Sequence, residues 1–255
     1  MGLCSNKNYL VMGVRNRWSL AWGIAKKLHR EDARLFFTYQ GDQELKRLSR
    51  LSETLGCRDI LRCDVSRDED LDGLREYLTS RVGELHGVVH GIAHARRENL
   101  EAGLLHTTRD GFLHALNVSA YSLPAVARRL EPLLRAGSSL VSLTYMGSER
   151  ILPGYDVMGV AKAALEACVR YLAYDLGAGD IRVNAISAGP VRTASTAVLS
   201  RFQHLLEGVR EKSPLRRGVG LDDIAGTAVY LLSDLASGVT GEVIHVDCGY
   251  SRMGV

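Results

Sequence analysis

Two tyrosines and a lysine stand in one stretch of the chain in the arrangement Tyr145-x9-Tyr155-x6-Lys162. A helix turns about 100° per residue, so positions seven apart lie within about 20° of each other, two turns along the axis. Tyr155 and Lys162 are therefore expected to project from one face of a helix. Gly159, Ala161, Ala163 and Ala164 leave room for close approach. An ammonium group beside a phenol favours the ionised form, which lowers the phenol pKa and makes it a better proton or hydrogen-bond donor. An isolated Tyr and Lys at this spacing would ordinarily be surface residues. Here the pair follows a strand end and sits among candidate nucleotide-binding residues.

The first of those candidates is Gly13-Val14-Arg15-Asn16-Arg17-Trp18-Ser19-Leu20-Ala21-Trp22-Gly23, a G-x5-S-x3-G pattern. A glycine ending a first strand lets the backbone turn close to a pyrophosphate, and the next helix N-terminus offers free N–H groups and a positive dipole end. Ser19 either caps that helix or binds a phosphate oxygen. By itself the pattern is weak, since a plain strand–loop–helix junction would show it. After the second strand come Gln40, Gly41 and Asp42. This position faces the adenosine ribose in dinucleotide folds, where an acid favours NAD and Arg or Lys accommodates a 2′-phosphate. Gln40 is neutral and Asp42 would repel a phosphate, so NADH is expected over NADPH, although Lys46 and Arg47 lie a turn further on. Asp64 is placed either to accept from an adenine amino group or to cap the following helix. Gly91, Ala93 and Ala95 are small enough to leave room for a ribose.

The elements that must position these residues alternate along the whole chain. Apolar runs at 9–14, 33–39, 59–63, 87–92, 139–144, 181–187 and 242–247 read as strands. Amphipathic stretches at 19–30, 42–55, 67–82, 114–136, 155–177, 196–212 and 221–235 read as helices. Such alternation implies right-handed βαβ crossovers: an α/β fold with a single Rossmann-type, doubly wound parallel sheet and helices on both faces. No linker, repeat or low-complexity tract interrupts residues 1–255, so one dinucleotide-binding domain is expected.

Composition is that of a soluble globular protein, with 46% hydrophobic and 24% charged residues over 255 positions. The net charge of +3 is scattered, which argues against nucleic acid but allows a local basic patch. The five cysteines form no C-x-x-C and no Cys/His cluster at metal spacing, so no metal is expected and reduced thiols are. No apolar run reaches the roughly 18–20 residues of a membrane span, and the opening MGLCSNKNYL lacks a secretory core; the cytoplasm is the expected location. Asn117-Val118-Ser119 matches a glycosylation sequon, read here as accidental.

With Gly13 and Ser19, the Tyr-x9-Tyr-x6-Lys row and VNAISAGPVRT at 183–193 in hand, the chain resembles the NADH-dependent enoyl-acyl-carrier-protein reductases of bacterial type II fatty-acid synthesis. These are divergent short-chain dehydrogenases/reductases, and the likeness runs from YLVMGV to GEVIHVDCGY. Ordinary short-chain dehydrogenases have Tyr and Lys four positions apart, so the x6 spacing argues against a reductase of ketones or 3-oxoacyl thioesters. A non-catalytic NAD(H)-binding paralogue would have no need of the complete row.

The resemblance implies catalytic roles for Tyr145, Tyr155 and Lys162 in hydride transfer from NADH to the β-carbon of a trans-2-enoyl thioester. Tyr155 would steady the enolate oxygen and Lys162 would hold the nicotinamide ribose; Tyr145 would assist the proton path or shape the pocket. It implies dinucleotide contacts from Gly13, Ser19, Leu20, Gln40, Asp64, Val65, Ile92, Lys162, Val191, Arg192, Thr193, Ala194 and Ser195. It further implies an acyl site bounded by Ala95, Tyr145, Tyr155 and Met158, a mobile substrate-binding region at about 194–206, and Phe202 as either channel wall or core aromatic. The substrate carrier would be acyl carrier protein, an acidic partner for which Arg192, Arg201, Arg216 and Arg217 are candidate docking charges, and the assembly a homotetramer. Departures from the usual family pattern are Arg15, Arg17 and Trp18 in the first loop, Gly91 for Ser, His94 for Phe, and Cys248 in the last turn.

Overall fold

Successive residues of the central strands point alternately into two apolar layers: Tyr9, Val11, Val89 and Ile186 into one, and Leu10, Met12, Val88 and Val183 into the other. A strand apolar on both sides requires cover on both faces, and the sequence between strands supplies it with amphipathic helices. The structure is a computed structural model and describes residues 2–101, 103–191 and 202–254, the side chains of 202–205 excepted.

The sheet has seven strands, β1 (Asn8–Met12), β2 (Arg34–Tyr39), β3 (Ile60–Arg62), β4 (Leu85–His90), β5 (Leu134–Thr144), β6 (Arg182–Ala188) and β7 (Val243–Val246). All pairings are parallel and the order is β3-β2-β1-β4-β5-β6-β7. Order reverses between β1 and β4, and open α/β sheets take ligands outside the carboxyl ends of strands at such a switch point. Helices α1 (Leu20–Arg30) and α2 (Asp42–Glu53) cover one face, with Ile24, Leu28 and Leu48 buried. The other face is covered by α3 (Asp68–Arg81), bringing Leu71, Leu74 and Leu78. The short α4 (Glu98–Glu101) and α5 (Arg109–Leu116) lead from β4 towards α6 (Ser122–Leu130), which adds Leu123, Val126 and Leu130 to that second layer. Helix α7 (Asp156–Gly177) joins it with Leu165, Val169 and Ala173. After α8 (Phe202–Lys212), α9 (Leu221–Leu232) returns to the first face.

The doubly wound α/β reading holds. One expected element does not: in place of a helix over 114–136, α5 begins earlier and a π-turn at Asn117–Tyr121 separates it from α6. The Thr108 hydroxyl accepts from Gly111 N and so starts α5 five residues ahead of the apolar periodicity. A 3₁₀ turn at Glu131–Leu133, with Pro132 in its first turn, ends the segment, and Leu134 already belongs to β5. Ser119 of the sequon is fully buried within this stretch. All five cysteines are free thiols. Among the described residues no helix is long and apolar enough to cross a membrane, and no group of three metal-ligating side chains occurs.

Candidate active site

The carboxyl ends of β1 and β4 approach each other at Gly13 and Gly91. Gly13 has φ +89, and a Cβ there would overlap the Gly91 carbonyl. Both requirements leave only glycine, and the backbone can therefore pass close to a ligand at the switch point. Ser19 is the N-cap of α1, yet its hydroxyl caps no N–H of that helix. It accepts instead from Arg15 N and Asn16 N, both at 3.0 Å, so it closes the loop. Trp22 N and Gly23 N donate to the Ser19 carbonyl, at 3.0 and 3.1 Å, and so begin the helix.

One strand over, Gln40 Nε2 donates to Asp64 Oδ2 at 2.9 Å. The Asp64 carboxylate also accepts from Ser66 N and Ser66 Oγ, at 3.0 and 2.6 Å, so it forms an Asx-type turn, and Arg67 is the N-cap of α3. Partial burial pushes the Asp64 carboxyl up, but the hydrogen bonds from Ser66 and Gln40 outweigh it and hold the group below its ordinary value. Glu44 Oε2 accepts from Gly41 N at 2.8 Å, which brings a second carboxylate beside Gln40. Two acids, Glu44 and Asp64, are thus hydrogen-bonded to the Gln40–Gly41 turn, where a carboxylate disfavours a 2′-phosphate. Arg15 lies 3.9 Å from Glu44, and Arg62 Nε donates to the Gln40 carbonyl at 3.4 Å, so positive charge also stands at this position. Val65 is buried behind this pair, and Ile92 is half-buried past the end of β4.

At the end of β5, the rings of Tyr145 and Tyr155 meet edge to face with centroids 5.2 Å apart. Tyr155 is not inside α7 but is its N-cap, and the next residue, Asp156, has φ +37. Helical periodicity therefore does not set the direction of the Tyr155 ring, contrary to the sequence expectation. Its place is fixed by Tyr145 and by Gly147, where a Cβ would overlap the ring. The pKa expectation is also corrected: burial raises the Tyr155 phenol well above its ordinary value, and the neighbouring Tyr145 and Glu166 add to the rise. Desolvation disfavours the phenolate more than any ammonium favours it. Tyr155 is accordingly a neutral hydrogen-bond donor. Burial likewise pushes Tyr145 up to about 12.

Lys162 is buried on α7 and donates from Nζ to the Leu143 carbonyl at 2.7 Å. Burial lowers its pKa to about 8, with Glu166 opposing the fall. Met158 is buried one turn before Lys162, where the Ser119 hydroxyl points at its sulfur at 3.7 Å. Ser119 Oγ also binds both backbone groups of His94, at 2.9 and 3.0 Å, and so holds the 93–95 segment, including half-buried Ala95, against α7.

Val191 is described and packs against the core. Arg192, Thr193, Ala194, Ser195 and Arg201 lie outside the described residues, and of Phe202 only the backbone at the start of α8 is described. Arg217 is held by a two-pronged pair with Asp223, at 2.6 and 2.9 Å, so its charge is already engaged. Sequence reasoning missed Glu166, Thr144 and His114. Glu166 had a legible signal, an acid four positions after Lys162 on one helix face. His114 had none, because it meets His94 only through the tertiary fold.

A doubly wound sheet with a glycine-lined switch point, a buried lysine and paired phenols defines a Rossmann-type nucleotide-dependent oxidoreductase. The pattern of the enoyl-(acyl carrier protein) reductase family matches residues 13–251, and the chain belongs to that family. It is 49% identical to the enoyl-[acyl-carrier-protein] reductase [NADH] of Bacillus cereus over 100% of both chains. A solved structure of the Bacillus cereus reductase, in complex with NADP+ and indole naphthyridinone, superposes with TM-score 0.97 at 49% identity over 100% of both chains. The Aquifex aeolicus enzyme structure, an enoyl-[acyl-carrier-protein] reductase (NADH), has TM-score 0.96 and 45% identity over 100% of both chains.

Proposed function

We propose that the chain reduces trans-2-enoyl thioesters carried on acyl carrier protein to the saturated acyl thioesters, using NADH, in the last step of the fatty-acid elongation cycle. The observation that carries this reading is the buried Lys162, bound to Leu143 O of β5, together with the edge-to-face phenols Tyr145 and Tyr155 that follow that strand, within a sheet whose switch point is lined by Gly13 and Gly91.

The residues present fit a dinucleotide. Gly13 and the first turn of α1 would take the pyrophosphate, with Ser19 and Leu20 at the loop–helix junction, and Gln40, Asp64, Val65 and Ile92 would line the adenosine side. An ammonium has three N–H donors, and Lys162 spends one on Leu143 O, which leaves two for the nicotinamide ribose. NADH supplies the hydride for the substrate β-carbon. Negative charge then gathers on the thioester oxygen, where a hydrogen bond from neutral Tyr155 stabilises the enolate. Tyr145, braced against the Tyr155 ring, shapes the pocket, and protonation at the α-carbon completes the saturated product. Ala95 and Met158 belong to the acyl site, and Val191 adds to the dinucleotide contacts. One 1–255 domain carries the site.

Following NADH and NADPH absorbance with a C4 to C12 enoyl series and an acetoacetyl thioester tests the reading. Oxidation of NADH by the enoyl series supports it; turnover of the 3-oxo substrate alone overturns it. The assembly is a homotetramer in the cytoplasm. Tyr171 and Tyr174 lie three apart on α7 and are 74% and 84% exposed, a contiguous aromatic surface that another copy would cover. Light scattering of a Tyr171→Glu/Tyr174→Glu variant should report a smaller species.

A further inference from the structure

We propose that Glu166 is a positioning residue for Lys162: anchored on the Thr144 hydroxyl, its carboxylate keeps the neighbouring ammonium charged and aimed at the dinucleotide. The proposal rests on the reading of Lys162 as the group that holds the nicotinamide ribose.

Glu166 is buried, and buried carboxylates are rare unless something compensates the charge. Its recorded hydrogen bond comes from Thr144 Oγ1 to Oε1 at 2.5 Å. One hydroxyl would satisfy a neutral amide equally well, so the charge itself calls for an account. Lys162 lies four residues earlier on α7, the spacing that places two side chains on one face as neighbours. The two residues bind adjacent positions of β5, Lys162 through the Leu143 carbonyl and Glu166 through the Thr144 side chain. These two rungs lock the middle of α7 to the strand end from which Tyr145 departs.

The other ionisable groups facing this pair do not supply the charge balance. From β4, His90 sits between Ser142 Oγ and Ser122 Oγ, at 3.1 and 2.8 Å, and burial followed by the nearby Lys162 lowers its pKa to about 3, so it is neutral. From the segment after β5, Tyr145 and Tyr155 are kept protonated by burial. Of these neighbours, Glu166 is the one that opposes the fall in the Lys162 pKa. Burial alone works in the opposite direction, and an amine that lost its proton near neutral pH would hold a ribose hydroxyl far less well.

NADH affinity measured by fluorescence from pH 6 to 9.5 on the intact protein tests this. Wild type should lose affinity as Lys162 deprotonates, and Lys162→Met should bind weakly with no such limb. Glu166→Gln keeps the shape and the Thr144 hydrogen bond, and should move the limb to lower pH by about one unit, roughly a fivefold loss in the pH 8 to pH 6 affinity ratio. Thr144→Val, which frees the carboxylate without removing it, should move it the same way by less, and carries the test if Glu166→Gln does not fold. Limbs that stay at the wild-type pH in the folded variants overturn the role of Glu166 while leaving Lys162 in place. A wild-type affinity indifferent to pH and to Lys162→Met overturns the reading of Lys162, and the proposal with it.

Discussion

Tyr145 and Tyr155 touch edge to face, their ring planes at 72°, so each phenol has its position set by the other. Tyr155→Phe keeps that ring contact and removes only the hydroxyl proposed to donate to the enolate oxygen. Turnover should fall on the order of 10²-fold, the usual loss for one such donor, with NADH affinity unchanged. Tyr145→Phe, which also keeps the contact, should cost less than Tyr155→Phe. Stopped-flow hydride transfer and a parallel NADH titration check both, and equal losses from the two variants would contradict their separate roles.

Gly13→Ala should be damaging in two ways. The left-handed φ disfavours any Cβ, and the added methyl meets the Gly91 carbonyl, which cannot retreat because Gly91 N donates to Met12 O at 3.1 Å. A loss of roughly 1–3 kcal/mol is expected, lowering Tm by several degrees, together with weaker NADH binding. Thermal melts with and without NADH measure the two effects separately.

His90 makes the fold sensitive to acid. Its imidazole is neutral in the native state, with a pKa of about 3, while the unfolded chain takes up that proton near 6.5. The unfolded state thus binds more protons between these limits. The stability linked to this one group is complete above pH 6.5 and falls by about 1.4 kcal/mol per pH unit below it. Urea melts at pH 7 and pH 5 should show a smaller difference for His90→Asn than for wild type. An identical pH dependence would mean that other groups govern acid unfolding.

His94 and His114 share a hydrogen bond, Nδ1 to Nε2 at 2.7 Å, with rings nearly perpendicular. Burial, then His114, Arg15 and Arg96, holds His94 below its ordinary pKa, so the His94 imidazole is neutral at working pH. Replacing it by His94→Phe offers apolar surface to the chain instead. The kcat/KM ratio of C12 to C4 enoyl substrates should rise by roughly fivefold, the worth of about 1 kcal/mol of apolar contact. An unchanged ratio would place His94 away from the acyl path.

Docking of acyl carrier protein by charge predicts a KM that rises with salt. Because Arg217 is engaged with Asp223, Arg216→Ala should weaken that salt dependence more than Arg217→Ala. Kinetics with carrier-bound substrate at two ionic strengths decide the matter.

Much of this protein was legible in the chain itself. Apolar runs flanked by glycine, alternating with amphipathic stretches, required a parallel sheet covered on both faces, because only that arrangement buries both sides of each strand. Gly13, Ser19 and the Tyr–Tyr–Lys row could be placed at strand ends and helix starts, because those are local events. Residues far apart in sequence needed the tertiary fold. It turned the expected Tyr155 helix position into an N-cap, buried both phenols so that the Tyr155 pKa rises instead of falling, and set Thr144 against Glu166 and His94 against His114. Desolvation and cross-element contact depend on what surrounds a side chain, and periodicity carries no record of that.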